Sequence, residues 1–203
     1  MPKFWYFDDY YPLSGKININ KMSTSQEMTE QDKTARALFE LAKVKPQDVL
    51  TAQTNEYERF VALLEASANK ITKEVVKSWT TNTNLDIEFK IQEIKNAQNQ
   101  SEKYLDIRVK SQRHKITLPL DRRSKGFNWF FSFIVWFSKI QSDKKSDYIL
   151  LLDEPGLNLH ASAQADLLRF ITELADKYQI IYTTHSPFMV DSEHLNRVRT
   201  CLE

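Results

Sequence analysis

The chain reads as an α/β protein whose last third holds parallel core strands, preceded by a helical insertion and a short antiparallel β-meander. Three observations predict this. Two apolar runs, Tyr148 to Leu152 and Ile180 to Tyr182, flank a helix-period segment, the pattern of a βαβ unit. Each run ends in polar residues: Asp153 and Glu154 after the first, Thr183, Thr184, His185 and Ser186 after the second. Upstream, Leu85 to Ile91 alternates strictly, Leu105, Ile107 and Val109 alternate with Asp106 and Arg108, and His114 to Leu118 suggests a third strand.

Taken in order, Lys3 to Phe7 predicts a strand, and Asp8 to Gln31 a polar, turn-rich connector. A domain seldom opens on a strand with no preceding turn, so sequence upstream is expected. From Thr34 the spacing of Ala37, Leu38, Leu41 and Ala42 predicts a helix that Pro46 interrupts. A longer helix is predicted from about Asn55 to Trp79, with Tyr57, Phe60, Val61, Leu64, Ala68, Ile71, Val75 and Trp79 on one packed face. Asn96 to Ser101 reads as the polar turn of the meander, and His114 as a solvated residue beside Arg113 and Lys115.

After Pro119, Ser124, Lys125 and Gly126 open a helix with aromatic residues on nearly every side, a segment too short and too polar to span a bilayer. The next helix is expected from Ala161 to about Tyr178, with Ala163, Leu167, Leu168, Ile171, Leu174 and Ala175 inward. Thr183 to Pro187 reads as a loop, and Val198 to Leu202 as the start of another strand. Three regions follow: 1–31, strand and connector; 32–118, helical insertion and meander; 119–203, the core with the polar strand ends.

Polar residues at the carboxyl ends of buried parallel strands mark the place where an open α/β sheet binds its ligand. Acids there can hold a magnesium ion and orient a water, and a histidine can contact a γ-phosphate. The phosphate-cradling loop is missing from these residues. Nothing matches G-x-x-x-x-G-K-[ST], and Gly15, Gly126 and Gly156 lie too far apart to form it.

Several segments then line up with one family. LLLDEP resembles the Walker B motif of ABC-type ATPases, GLNLHA the D-loop, TTHSP the switch-histidine loop, and RRSKGF the signature loop. RRSKGFNWFFSF, DEPGLNLHASAQADLL and YTTHSPFMVD together resemble the ATPase domain of OLD-family (overcoming-lysogenization-defect) ATP-dependent nucleases. The likeness is close over Leu120 to Arg199 and looser elsewhere. It implies ATP and Mg²⁺ as ligands. Asp153 would bind the Mg²⁺ water shell, Glu154 would polarise the attacking water, and His185 would sense the γ-phosphate. Gly156 and Asn158 would belong to the D-loop. Ser124, Lys125 and Gly126 would contact nucleotide bound to the opposite subunit, with Gly126 letting the backbone approach the phosphate. The family's domain usually continues into a Toprim nuclease domain, for which these residues leave no room. The resemblance therefore implies a fragment, a truncated product or half of a split protein, with little ATPase activity alone. A homodimer, or assembly with a P-loop-bearing polypeptide, is expected, with DNA reached through the wider system in defence or repair.

Two other classes compete. One is a non-enzymatic remnant that dimerises through its signature and D-loop surfaces, which ATP binding would discriminate. The other is a direct nucleic-acid binder using Arg122, Arg123, Lys125, Arg108, Lys110, Arg113 and Lys115; the net charge of +1 favours a solvated face instead. A single cysteine, Cys201, excludes an internal disulfide and fits a reducing cytosol; it reads as a buried small residue near a strand end. His160 is expected at a helix start packed on the D-loop, and His194 in an exposed polar turn. With no secretory signal in the N-terminal sequence and no membrane span, a soluble, cytoplasmic protein is expected.

Overall fold

The computed structural model describes residues 1–8, 12–24, 29–52, 54–80, 84–142 and 147–201. Two sheets sandwich a set of helices. The first sheet is parallel, with strands β1 (Lys3–Phe7), β6 (Tyr148–Leu152) and β7 (Gln179–Tyr182) in the order β1-β6-β7. The second is antiparallel: β4 (Ser101–Ser111) pairs along its whole length with β3 (Leu85–Lys95). Its other edge is shared by β2 (Lys16–Asn18) and β5 (Ile116–Pro119). The α/β class and the meander thus stand as the sequence predicts.

The helices are α1 (Ile19–Thr24), α2 (Glu30–Ala42), α3 (Pro46–Thr51), α4 (Thr54–Ser78), α5 (Lys125–Ser142) and α6 (Ala161–Ala175). Helix α5 is the hub. Its residues are buried on every side, since no face alternates with polar side chains. Phe7 of β1 meets Trp129 and Phe133 edge-on, Trp79 after α4 meets Phe127, and Phe170 of α6 meets Phe133 and Phe137. Such edge-to-face pairs contribute about 0.5–1.5 kcal/mol each beyond the area they bury. Aromatic packing therefore fixes both the sheet and the insertion helices to one axis.

Several expectations are corrected. The connector contains β2 and α1, too short to give a periodic signal. Helix α2 starts at Glu30 rather than Thr34 because Thr29 and Asp32 cap it reciprocally: the Thr29 hydroxyl accepts from Asp32 N–H, and the Asp32 carboxylate accepts from Thr29 N–H. Pro46 starts α3, the first-turn position in which a missing N–H costs nothing. Strand β3 runs on to Lys95, past the alternating stretch, because β4 pairs with it throughout. Helix α6 ends at Ala175, and Tyr178 packs edge-on against Phe137 beyond it. Residues 198–201 form no strand and Cys201 is exposed, not buried; Leu202 lies outside the described residues. No helix among the described residues is long and apolar enough to cross a membrane.

Candidate functional site

The site forms at the carboxyl end of β6, the central parallel strand. The ladder carries the chain just past the strand end: Asp153 N–H donates to the Phe7 carbonyl at 3.1 Å, and Thr183 N–H to the Leu152 carbonyl at 3.1 Å. Asp153 and Thr183 consequently emerge side by side. The Thr183 hydroxyl donates to Asp153 Oδ1 at 2.6 Å and accepts from Glu154 N–H at 3.0 Å. On the other flank, the Tyr6 hydroxyl donates to Asp153 Oδ2 at 3.1 Å. Desolvation, reinforced by the hydrogen bond to Asp153 and its negative charge, pushes the Tyr6 phenol up to about 12.

Glu154 has φ 44°, a left-handed conformation that a non-glycine residue adopts at a cost. The turn aims its carboxylate at the neighbouring loop, where His185 N–H donates to Oε2 at 3.2 Å and His185 Nε2 lies 3.4 Å from Oε1. The His185 side chain is otherwise 93% exposed, so its ring is free to meet a ligand from solvent. Asp153, Glu154 and His185 are therefore brought together, as the strand-end pattern implied.

Residues 154–159, the segment that resembles a D-loop, follow as two tight turns. Leu157 N–H bonds the Glu154 carbonyl, and Leu159 N–H bonds the Gly156 carbonyl, with Gly156 at φ 82°. Buried Gln164 ties this loop to the loop after β7: its Nε2 donates to the Gly156 carbonyl at 2.9 Å, and its Oε1 accepts from the Ser186 hydroxyl at 2.8 Å. His160 is the exposed N-cap residue of α6, without a side-chain capping bond, and so does not pack as expected. His194 lies outside the site and pairs with Asp191 at 2.8 Å.

Ser124 caps α5, its hydroxyl accepting from Phe127 N–H at 3.3 Å, and Lys125 is exposed. Gly126 is buried against Asn158 and Leu159 of the same chain. A Cβ there would stand 2.6 Å from the Asn158 carbonyl oxygen and 2.5 Å from Leu159 Cδ2. The glycine thus has an intramolecular reason beside the phosphate approach that the resemblance implies.

Sequence reasoning missed Tyr6, Thr183 and Gln164. Thr183 was within reach, because aligning the ends of the two apolar runs puts it beside Asp153. Tyr6 depends on β1 pairing with β6 across 140-odd residues, which no local pattern reveals. Among the described residues no group of three or more His, Cys, Asp or Glu side chains could hold a metal ion. Asp153 brings a single carboxylate flanked by two hydroxyls, a hard-oxygen set that suits Mg²⁺ completed by waters and phosphate.

Comparison with known proteins places the chain in a family. A family model for an AAA ATPase domain matches residues 8–190. An uncharacterized protein of Methanocaldococcus jannaschii is 30% identical over 139 residues, 67% of this chain and 34% of that protein. An OLD nuclease of Thermus scotoductus is 30% identical over 95 residues, 46% of this chain and 18% of the nuclease. The chain thus spans about a third or less of the length of these relatives. A crystal structure of an SmcHead bound to the C-winged helix domain of ScpA superposes with a TM-score of 0.46 at 14% identity, covering 80% of this chain and 50% of that one. The family match spans the insertion, strands β6 and β7 and the acid-bearing strand end alike: this chain belongs to the AAA ATPase domain family.

Proposed function

We propose that the chain is part of an ATP-binding and ATP-hydrolysing module of an OLD-like DNA defence or repair nuclease system, completed by a phosphate-binding loop from outside these 203 residues. The observation that carries this reading is the hydrogen-bonded trio of Asp153, Glu154 and the switch loop. Thr183 locks the first acid while His185 holds the second. Magnesium, when bound, would neutralise the charge on the phosphates. Asp153 would hold its water shell, with Thr183 and Tyr6 fixing the carboxylate's orientation. Glu154, already turned out of the strand direction, would orient the attacking water and take its proton. His185 would swing its exposed ring toward the γ-phosphate.

Ser124, Lys125 and Gly126 would act on nucleotide held by a second subunit, adding N–H donors and the positive end of the α5 dipole. Dimerisation would then be coupled to ATP. Because Gly126 packs on its own D-loop, exposed Lys125 is the better residue for a mixed-dimer test. Lys125→Glu and Glu154→Gln on opposite protomers should leave one composite site intact, whereas both on one protomer should damage two.

The deciding experiment measures ATP binding and hydrolysis by the chain alone and with a P-loop-bearing polypeptide. Alone it should turn over little or no ATP. In the complemented complex, Glu154→Gln should keep nucleotide binding and slow hydrolysis at least about a hundredfold, the scale for loss of a general base. Equal turnover in parent and variant complexes would remove Glu154 from the mechanism. Absence of nucleotide binding in the complex would leave the non-enzymatic interaction module as the function.

A further inference from the structure

Glu154 and His185 stand on separate loops, and the hydrogen bonds that join those loops directly lie open to solvent. The Thr183 hydroxyl accepts from Glu154 N–H at 3.0 Å, and His185 N–H donates to Glu154 Oε2 at 3.2 Å. Water competes with such bonds, so they hold a geometry weakly. The turn also carries two left-handed residues, Glu154 at φ 44° and Gly156 at φ 82°. A non-glycine residue keeps that conformation only where its surroundings over-determine it. A second, buried tie has to fix both loops.

Gln164 supplies it. The residue lies near the start of α6, is 6% exposed, and stands between Gly156 and Ser186. Gly156 is two residues past Glu154, and Ser186 is next to His185. The partners fix which way the carboxamide points. A peptide carbonyl only accepts, so the nitrogen faces Gly156, at 2.9 Å. The Ser186 hydroxyl accepts from Phe188 N–H at 3.3 Å and gives its own proton to Gln164 Oε1 at 2.8 Å. The Gly156 carbonyl also takes Leu159 N–H at 2.9 Å, so both of its lone pairs are used. A carboxamide offers a donor to one loop and an acceptor to the other. A carboxylate or thioether of similar length does not.

We propose that Gln164 is a positioning residue. Its buried carboxamide keys the loop of Glu154 to the loop of His185, so that acid and imidazole keep one geometry and shift together when a ligand engages either. Gln164 acts through both loops rather than on a reacting atom. Its value to catalysis rests on the reading of Glu154 as the group that orients the attacking water; the keying itself does not.

Native-state hydrogen exchange on the 203-residue chain, without nucleotide, tests the keying. Gln164→Met keeps the length and loses both bonds. In it the Leu157, Leu159 and His185 amides should exchange at least about tenfold faster, with the β6 and α5 amides unchanged. Ser186→Ala serves if Gln164→Met does not fold. It cuts the same bridge from the other loop and leaves residues 154–159 unaltered, so faster exchange at Leu157 and Leu159 reports the bridge alone. Unchanged exchange at those two amides in both variants would overturn the proposal. So would equal acceleration throughout β6 and α5, the mark of a residue that only stabilises the fold. Hydrolysis is measured separately, in the complex with a P-loop-bearing polypeptide. There Gln164→Met should lower kcat at least about tenfold with KM for ATP unchanged. An unchanged kcat in an active complex would overturn the positioning role and leave the ATPase reading standing. Faster loop exchange beside a parent complex that hydrolyses no ATP would keep the keyed loops and end the ATPase reading.

Discussion

Gly126, at the start of α5, lies so close to Asn158 in the loop after β6 that a methyl group on it would stand 2.6 Å from the Asn158 carbonyl oxygen. Two segments that sequence alone assigns to separate roles are thus one packed unit within the chain. The approach is backbone to backbone, so no side-chain rotation relieves it.

Gly126→Ala should therefore destabilise the chain. Helix propensity favours alanine by about 0.8–1 kcal/mol. Overpacking against Asn158 and Leu159 costs about 1–3 kcal/mol. A net loss of up to about 2 kcal/mol is expected, read as a lowered urea midpoint at unchanged slope. A midpoint at or above the parent's would show that the Asn158 loop yields freely.

Glu154 stores backbone strain at φ 44°. Glu154→Gly and Glu154→Ala both remove the carboxylate, but only glycine relaxes the left-handed conformation. The glycine variant should be the more stable of the two by about 1 kcal/mol, measured by thermal or urea unfolding. Equal stabilities would mean that the turn rearranges to a right-handed conformation once the carboxylate is gone.

Thr183→Val should leave the fold intact, since the position is exposed, while releasing Asp153 Oδ1 and Glu154 N–H together. In a complemented complex the Mg²⁺ requirement should rise by about tenfold or more, the scale for removing an outer partner of a metal-binding carboxylate. Thr183→Ser, which keeps the hydroxyl, should restore the parent value. A Val variant with unchanged Mg²⁺ dependence would separate Thr183 from the site's chemistry.

Tyr6 gives the site an alkaline signature. Its folded pKa of about 12 exceeds the ordinary 10.0, so the neutral phenol is favoured by folding. The contribution is complete below pH 10 and is lost as pH rises through 12, where the phenol ionises in both states. An ultraviolet difference titration of parent against Tyr6→Phe should isolate one phenol titrating near the upper value. A difference centred at 10.0 would show that the Tyr6–Asp153 hydrogen bond does not form in solution.

Much of this protein was written in local patterns. The 3.6-residue stripe from Tyr57 to Trp79, the alternation from Leu85 to Ile91 and the polar ends of two apolar runs each depend on neighbours in sequence, and each led to the right element. So did the juxtaposition of Asp153, Glu154 and His185, because a βαβ unit has one handedness and delivers both strand ends to one edge. What the tertiary structure alone decided depends on contacts between distant segments. The pairing of β1 with β6 puts the Tyr6 phenol on Asp153, and the meeting of α5 with Asn158 and Leu159 requires glycine at 126. The exposed side of the parallel sheet is likewise invisible in sequence, for Phe4, Leu151 and Ile181 belong to apolar runs that read as buried. Periodicity reports which residues share a face, and only the packed fold shows whether anything covers it.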